Sequence, residues 1–208
     1  MQLGVVTKSS DIDCVCVVPR HITREHFFRD LVKRLKQYSE KYRISDIVSA
    51  EHAYTPIISM RIEGQAIDLS FARLDVDALD FTAAETNLLD DSVLIGLEEE
   101  SVRSLNGYRT NAAILACVPG ENKLVFRTAL RFVKHWAKCR GLSSNKLGFF
   151  GGITWAILVA KVCQLYPNHN AAGIVHRFFV FCDRKRQNWG PQAPALLSPI
   201  REATAIPP

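Results

Sequence analysis

The chain has 208 residues, of which 48% are hydrophobic and 23% charged, and a net charge of +5. These values are typical of a soluble globular protein and exclude a disordered chain. The most apolar stretch, residues 153–165, is interrupted by Lys161 and is shorter than the roughly 18–20 residues that span a bilayer. The first ten residues lack the apolar core of a secretory signal, so we expect an intracellular protein without a membrane segment.

The chain begins with a predicted strand and a predicted helix. Residues 12–18 are rich in β-branched side chains and predict a strand that ends at Pro19. Thr23 is suited to cap a helix over residues 24–42, in which apolar residues recur on one face.

Two further strands are predicted at residues 57–62 and 66–71. Glu63 and Gly64 lie between them and predict a hairpin turn. Residues 75–100 hold many acidic side chains and predict an irregular, solvated segment.

The pattern becomes helical from Ser101 onward. Residues 124–139 carry apolar side chains at the spacing of one helix face. Gly151 and Gly152 precede a second, apolar helix, and residues 171–182 predict a third.

These patterns together predict an α+β protein in two parts. Residues 1–100 form the part with a mixed β-sheet, and residues 101–190 form a helical part. Residues 191–208 contain several prolines and predict a loosely ordered tail. The six cysteines include no CxxC pair, so we expect them to pack in the core and not to bind zinc.

Three aspartates form the strongest candidate for a site of chemistry. Asp11 and Asp13 stand two residues apart at the start of a predicted strand, so alternation places both on one face of the sheet. Asp68 lies between apolar residues in another predicted strand, where an acid is costly unless it meets a metal ion or solvent. Neighbouring carboxylates repel unless a cation lies between them, so the pattern predicts a site for two Mg²⁺ ions. Taken alone, an Asp-x-Asp pair more often caps a turn than binds a metal ion.

Longer motifs surround these acids. They are LGVVTKSSDIDCVCVVPRH, IDLSFARL, SVRSLNGYR and FRTALRFVKHWAKCRGLSSNKLGFFGGITWAILVAKVCQLYPN, followed by HRFFVF. In this order they resemble the core of eukaryotic poly(A) polymerases, members of the polymerase-β-like nucleotidyltransferase superfamily. The resemblance runs from residue 3 to about residue 197, and motifs of this length and order are highly specific.

The resemblance implies a fold and an activity. The fold is part of a palm-like nucleotidyltransferase domain, followed by a helical central domain, with the nucleotide between them. The activity is template-independent transfer of AMP from ATP to RNA 3′ ends in mRNA polyadenylation, with Mg²⁺ or Mn²⁺ as the metal. The implied partners are RNA, ATP and the cleavage and polyadenylation factors, and the implied location is the nucleus.

The resemblance also assigns roles to individual residues. Asp11, Asp13 and Asp68 match the three catalytic, metal-binding aspartates. The remaining matched positions surround the nucleotide: Tyr54 beside the base, Asn106 near the sugar and phosphates, Lys134 at the triphosphate, Ser143 and Asn145 in the pocket, and Gly151 and Gly152 where the backbone approaches adenine.

A row of basic residues is consistent with the role of Lys134. Arg127, Arg131, Lys134 and Lys138 recur at helical spacing and form a basic stripe beside the apolar one. Such a stripe suits a bound triphosphate, but by itself a row of charges is more often only a solvated helix face.

Two positions depart from the family pattern. Ser143 stands where the family usually has a tyrosine, and it keeps a hydroxyl but loses the ring. Ser59 stands where a lysine is usual, and Arg61, two residues further along the same strand face, is a candidate substitute. Both departures bear on the selectivity for adenine.

Segments that the family carries on either side of these motifs are not present in the sequence. They are a Gly-Ser helix start before LGV, which holds phosphates, and a downstream RNA-binding domain, so we expect the chain by itself to be weakly active or inactive. Two alternative functions remain: a uridylyl or other nucleotidyltransferase of the same fold, and a degenerate, non-catalytic RNA- or protein-binding fragment. The basic run 184–186 is compatible with nuclear import and also with a solvated loop.

Overall fold

The computed structural model describes residues 3–5, 10–80, 87–143 and 147–187. Within them the chain forms two compact units. The sheet unit covers Thr7–Arg109, and the helical unit comprises Thr110–Pro208 together with Met1–Val6, as far as these ranges are described. The predicted α+β fold class is confirmed. None of the helices in the described ranges has the length and apolar character that a membrane crossing requires.

The sheet unit is built on one mixed sheet of four strands. They are β1 (Ile12–Val18), β2 (Ile44–Ala50), β3 (Ile57–Ile62) and β4 (Gln65–Arg73). Their order across the sheet is β1-β4-β3-β2. β1 runs parallel to β4, whereas β3 is antiparallel to both of its neighbours.

The predictions for β1, β3 and β4 are confirmed, and β4 is somewhat longer than expected. The turn between β3 and β4 shows why the sequence signal was clear. Glu63 has φ of 51° and Gly64 has φ of 84°. Two successive positive φ values match the twist of a hairpin, and glycine adopts such a value without strain.

The predicted helix over residues 24–42 is shorter than expected. A π-helical turn, His26–Leu31, leads into α1 (Val32–Gln37), and the chain then turns before β2. The cap at Thr23 is confirmed, because its Oγ1 accepts a hydrogen bond of 3.4 Å from the His26 N–H.

β2 was not predicted, and its irregularity explains the miss. Its pairing with β3 shifts register between Ser45 and Val48, and Asp46 has φ of 53°. A bulge of this kind interrupts the alternation of apolar and polar residues by which a strand is recognised.

One face of the sheet carries the first core. The π-helical turn and α1 pack against it, and β3 and β4 contribute the buried side chains below. The buried members are Phe27, Phe28, Val32, Ile58, Met60 and Phe71.

The opposite face is covered at one end. Ala72 and Leu74, at and after the end of β4, pack with Leu105 of α2 (Glu99–Ala116), and Val15 and Val17 of β1 lie against this cluster. Because side chains alternate along a strand, Asp13 shares this face with Val15 and Val17. This apolar cluster therefore covers the C-terminal ends of β1 and β4. Towards the other ends of the two strands, where Asp13 and Asp68 lie, the same face has none of these apolar neighbours.

The segment over residues 75–100 is less solvated than predicted. Its apolar residues Leu88, Val93, Leu94 and Leu97 pack beside Leu105, and a 3₁₀ turn forms at Asp91–Leu94. Residues 81–86 lie outside the described part of the chain.

Three helices form the core of the helical unit. They are α3 (Lys123–Cys139), α4 (Gly152–Leu165) and α5 (Ala171–Gln187), and the helices predicted from the sequence are confirmed at these positions. Buried residues of all three pack into one apolar cluster, which Val5 of the N-terminal segment joins. The predicted tail, 191–208, lies outside the described residues.

The prediction that the cysteines pack in the core is correct for some of them and wrong for others. Cys163 is fully buried in α4, and Cys16 and Cys182 are partly buried against the two cores. Cys14 and Cys139 are exposed. Periodicity alone did not separate these positions, because burial depends on which elements pack above each strand or helix.

Candidate active site

Asp13 and Asp68 are direct partners on neighbouring strands. In the parallel pairing of β1 with β4, Asp13 lies opposite Asp68, one residue beyond the pair Ile12 and Ile67. Partners in register point to the same side of a sheet, so both carboxylates belong to one face. Asp11 precedes β1 by one residue and is exposed, as is Asp13, whereas Asp68 is half-buried.

The same row continues into β3 with a hydroxyl. Ser59 pairs with Asp68 in the antiparallel register of β3 and β4. Arg61, the candidate substitute for the usual lysine, donates from Nη1 to the Gly64 carbonyl at 2.9 Å and places Nε 3.4 Å from Asp46. The guanidinium of Arg61 is therefore engaged by the hairpin turn and the edge strand.

The donor chemistry of this face suits a hard divalent cation. Carboxylate oxygens are the ligands that Mg²⁺ prefers, and two of the three predicted ligands are held by the register of adjacent strands. In the described part of the chain, no group of three or more His, Cys, Asp or Glu side chains is assembled closely enough to hold a metal ion. Carboxylates repel one another when no cation lies between them, and this repulsion opposes bringing three of them close together.

Two predicted nucleotide residues also belong to the sheet unit. Asn106 is exposed on α2, next to the buried Leu105 that anchors this helix on the sheet. Tyr54 lies between β2 and β3 and is exposed. The guanidinium of Arg103 stands over the Tyr54 ring, with Cζ 4.4 Å from the ring centroid.

In the helical unit, Lys134 lies at the start of α4. A Cβ atom placed on Gly152, the first residue of α4, would lie 3.9 Å from the Lys134 Nζ. Gly151, in the cap position, provides no side chain to hydrogen-bond the first turn. An ammonium group beside the N-terminus of a 14-residue helix adds its charge to the positive end of the helix dipole, so this place favours an anion.

The basic stripe on α3 is not uniform. The Nε of Arg127 donates to the Leu3 carbonyl at 3.2 Å, and a Cβ on Gly4 would lie 2.8 Å from that Nε. Gly4 also has φ of +62°, so a side chain there is excluded on two grounds. Arg127 thus holds the N-terminal segment, whereas Arg131 is exposed.

Two predicted pocket residues, Ser143 and Asn145, lie in or near the turn after α3 in the sequence. Ser143 is exposed in the turn that follows α3. Asn145 lies outside the described residues. The structure thus brings Asp13 and Asp68 together in one unit and Lys134 and Gly152 together in the other.

Sequence reasoning did not assign a role to Arg103. The signal was present in the motif SVRSLNGYR, where Arg103 stands three residues before Asn106 and hence on the same side of a helix. Its contact with Tyr54 joins positions 49 residues apart in the chain, which no local pattern reveals.

Two family models match the chain. They are the poly(A) polymerase nucleotidyltransferase domain over residues 1–118 and the poly(A) polymerase central domain over residues 125–206. Poly(A) polymerase pla1 of Schizosaccharomyces pombe is 42% identical over 201 residues, which are 97% of this chain and 33% of the relative. A poly(A) polymerase of Dictyostelium discoideum is 43% identical over 208 residues, 100% of this chain and 24% of the relative. The chain therefore spans a third or less of the length of these curated relatives.

Among solved structures, the polymerase core of TRAMP, an RNA surveillance complex, is similar in fold. The match has a TM-score of 0.50 and covers 85% of this chain and 47% of that chain, at 19% sequence identity. At this identity the likeness concerns the fold.

Proposed function

This chain belongs to the poly(A) polymerase family, and from that premise we propose that it is the catalytic part of an enzyme that transfers AMP from ATP to RNA 3′ ends. The observation that carries the proposal is the pairing of Asp13 with Asp68 on one sheet face. Like charges directly opposite each other on neighbouring strands repel unless a cation lies between them, and here two acids stand side by side.

The catalytic role falls to Asp11, Asp13 and Asp68. Their carboxylates would hold the divalent ions, Mg²⁺ or Mn²⁺, through hard oxygen ligands. Such ions, when bound, lower the pKa of an attacking hydroxyl and neutralise charge on a leaving pyrophosphate. The register of β1 and β4 fixes the backbones of Asp13 and Asp68, so these two acids need little rearrangement to act together.

The triphosphate is the proposed ligand of Lys134 and the start of α4. The Lys134 ammonium and the backbone N–H groups of the first turn of α4 carry positive charge at the same place. Gly151 and Gly152 leave this helix end uncovered by side chains, so the backbone is accessible to a ligand.

The base and sugar are the proposed ligands of the remaining residues. Tyr54 offers an exposed ring to the base, and Asn106 offers an amide to the sugar and phosphates. Ser143 and Asn145 complete the proposed pocket, with Ser143 contributing a hydroxyl where a tyrosine is usual. The proposed partners are RNA and the cleavage and polyadenylation factors, and the proposed location is the nucleus.

A chimera tests this function directly. In the S. pombe relative, the matching 201-residue segment is replaced by the corresponding residues of this chain. With Mg²⁺, ATP and an RNA primer, we expect the chimera to extend the primer by adenylates and to release pyrophosphate. Extension products are resolved on a denaturing gel, and UTP is offered in competition.

Two control proteins are assayed beside the chimera. The unaltered relative shows that the assay works, and the chimera with Asp68→Asn removes one carboxylate at nearly constant volume. A folded chimera that makes no tails while the relative does would overturn the proposal. Extension with UTP in preference to ATP would replace adenylyl transfer by the uridylyl alternative.

A further inference from the structure

Tyr54 is 79% exposed, yet its ring is held in place on one side. The guanidinium of Arg103 covers one face, with Cζ 4.4 Å from the ring centroid. A cation at this distance from an aromatic face is attracted by the ring quadrupole. The opposite face of the ring is left for another planar group.

Arg103 itself is held firmly. Its side chain is 17% exposed, and Nη1 lies 2.6 Å from Glu99 while Nη2 lies 3.5 Å from Glu100. Both carboxylates lie on α2, one turn before Arg103. The buried Nε makes no hydrogen bond among the described residues. The attraction between the guanidinium and the Tyr54 ring therefore offsets part of the free-energy cost of removing this cation from water.

Tyr54 and Arg103 lie in the same unit as the acidic row. Tyr54 precedes β3, whose first residue, Ile57, pairs with Ser70, two residues beyond Asp68 on β4. Arg103 and Asn106 lie three residues apart on α2 and hence on one side of the helix. The covered ring, the amide of Asn106 and the acidic row thus belong to the same unit.

We propose that Arg103 is a positioning residue, whose guanidinium fixes the Tyr54 ring so that its open face stacks on the base of the bound nucleotide. This inference rests on the proposed function and adds to it the element that determines base binding. A stacked cation also withdraws electron density from the ring, which favours an electron-rich purine on the other face. Because Arg103 acts through Tyr54, its loss should affect binding of the base and not binding of the phosphates.

The test compares ATP with inorganic tripolyphosphate, which carries the phosphates without the base. Dissociation constants of both are measured on the 208-residue chain with Mg²⁺ by isothermal titration. For Arg103→Met we expect the Kd of ATP to rise about three- to tenfold and that of tripolyphosphate to stay within twofold. Arg103→Lys keeps the cation but not its planar group, so we expect an intermediate loss of ATP affinity.

A second measurement follows the ring itself. The five tyrosines are replaced by 3-fluorotyrosine, and the ¹⁹F resonance of Tyr54 is assigned from its absence in Tyr54→Phe. We expect ATP, but not tripolyphosphate, to shift this resonance in the unsubstituted chain, and the shift to shrink in Arg103→Met.

Arg24→Met is the matched control. Arg24 also contacts carboxylates, Glu98 and Glu100, and also stands over a ring, that of the buried Phe71. Equal losses of ATP affinity in Arg24→Met and Arg103→Met would overturn the positioning role and leave the proposed function intact. If the unsubstituted chain binds ATP no better than tripolyphosphate, the base contact of the proposed function is wrong and the inference falls with it. If it binds neither, the proposed nucleotide site itself is wrong.

Discussion

Asp13 and Asp68, the proposed metal ligands, show how a residue proposed for function can oppose the stability of its own fold. Like charges directly opposite each other on neighbouring strands are destabilising, by about 0.2–1 kcal/mol. Without a metal ion, this repulsion is present in the folded state and largely absent in the unfolded chain. The pair therefore has a stability signature that can be measured without any assay of activity.

Asp68→Asn should make the metal-free chain more stable, by about 0.2–1 kcal/mol. The amide keeps the volume of the carboxylate and removes one of the two facing charges. Urea denaturation in the presence of a chelator measures the free energy of unfolding. Glu63→Gln removes a charge from the hairpin turn, where Glu63 lies 3.9 Å from Arg43 and opposite no other acid in the described strand pairings, and serves as the control. A loss of stability in Asp68→Asn would show that the carboxylate has a favourable partner in the folded chain.

Cys163 predicts a dependence of stability on alkaline pH. Burial raises the pKa of the Cys163 thiol from 9.0 to about 12. The folded state therefore keeps the proton where the unfolded state loses it, so the stabilisation is complete below pH 9 and is lost as the pH rises from 9 towards 12. Cys163→Ala has no thiol that can lose a proton, so its free energy of unfolding should fall less steeply above pH 9. The cavity left by the substitution lowers stability at neutral pH as well. Parallel pH profiles for the two proteins would contradict the assignment.

At the scale of the element, the start of α4 has a structural role in the helix and a proposed role in binding ATP, and one substitution separates the two. Gly152→Ala places a methyl group 3.9 Å from the Lys134 Nζ, an ordinary contact distance, so the fold should accept it. Alanine is also the better helix former, by up to about 1 kcal/mol. We expect the melting temperature to stay the same or rise, whereas ATP affinity falls because the methyl group covers the helix end.

Gly120→Ala is the control for this substitution, since a Cβ there meets nothing within 4 Å. Thermal denaturation and ATP titration are measured on both variants. Unchanged ATP affinity in Gly152→Ala would show that the ligand does not approach this end of α4.

At the scale of the whole molecule, charge is divided unequally between the two units. The sheet unit contains 13 basic and 18 acidic residues, a net charge of −5, and the rest of the chain contains 13 basic and 3 acidic residues, a net charge of +10. The modest total of +5 conceals this separation. A unit of such positive charge attracts phosphates, whereas the acidic unit suits cations.

We therefore expect the chain to bind a short oligo(A) with an affinity that falls as salt is added. The logarithm of the binding constant should decrease linearly with the logarithm of salt concentration, by about 0.7 per neutralised phosphate for a single strand. Fluorescence anisotropy over a salt series measures this slope. An affinity that is independent of salt would mean that the basic unit is not the surface that RNA contacts.

Much of the fold and part of the candidate site followed from local patterns. The β-branched residues of the segment 12–18 predicted β1, and the Glu63-Gly64 pair predicted the hairpin. Helical periodicity predicted α3, α4 and α5. These signals are local because they arise from backbone conformation and from one buried face, which neighbouring residues determine together.

Other features depended on contacts between distant parts of the chain. β2 could be recognised as a strand only from its pairing with β3, because its bulge interrupts the alternation of apolar and polar residues. The domain bounds predicted at residues 1–100 and 101–190 remain predictions, as do the roles of the nucleotide residues.

The sequence by itself determined the family and the α+β class, since long motifs in a fixed order and periodic apolar patterns can be read directly from the order of residues. The tertiary structure alone decided that Asp13 faces Asp68 across two strands, that the Lys134 ammonium lies at the start of α4, and that Arg103 covers Tyr54. Each of these contacts joins residues at least 18 positions apart, and their register is set by the packing of whole elements, which no local pattern encodes.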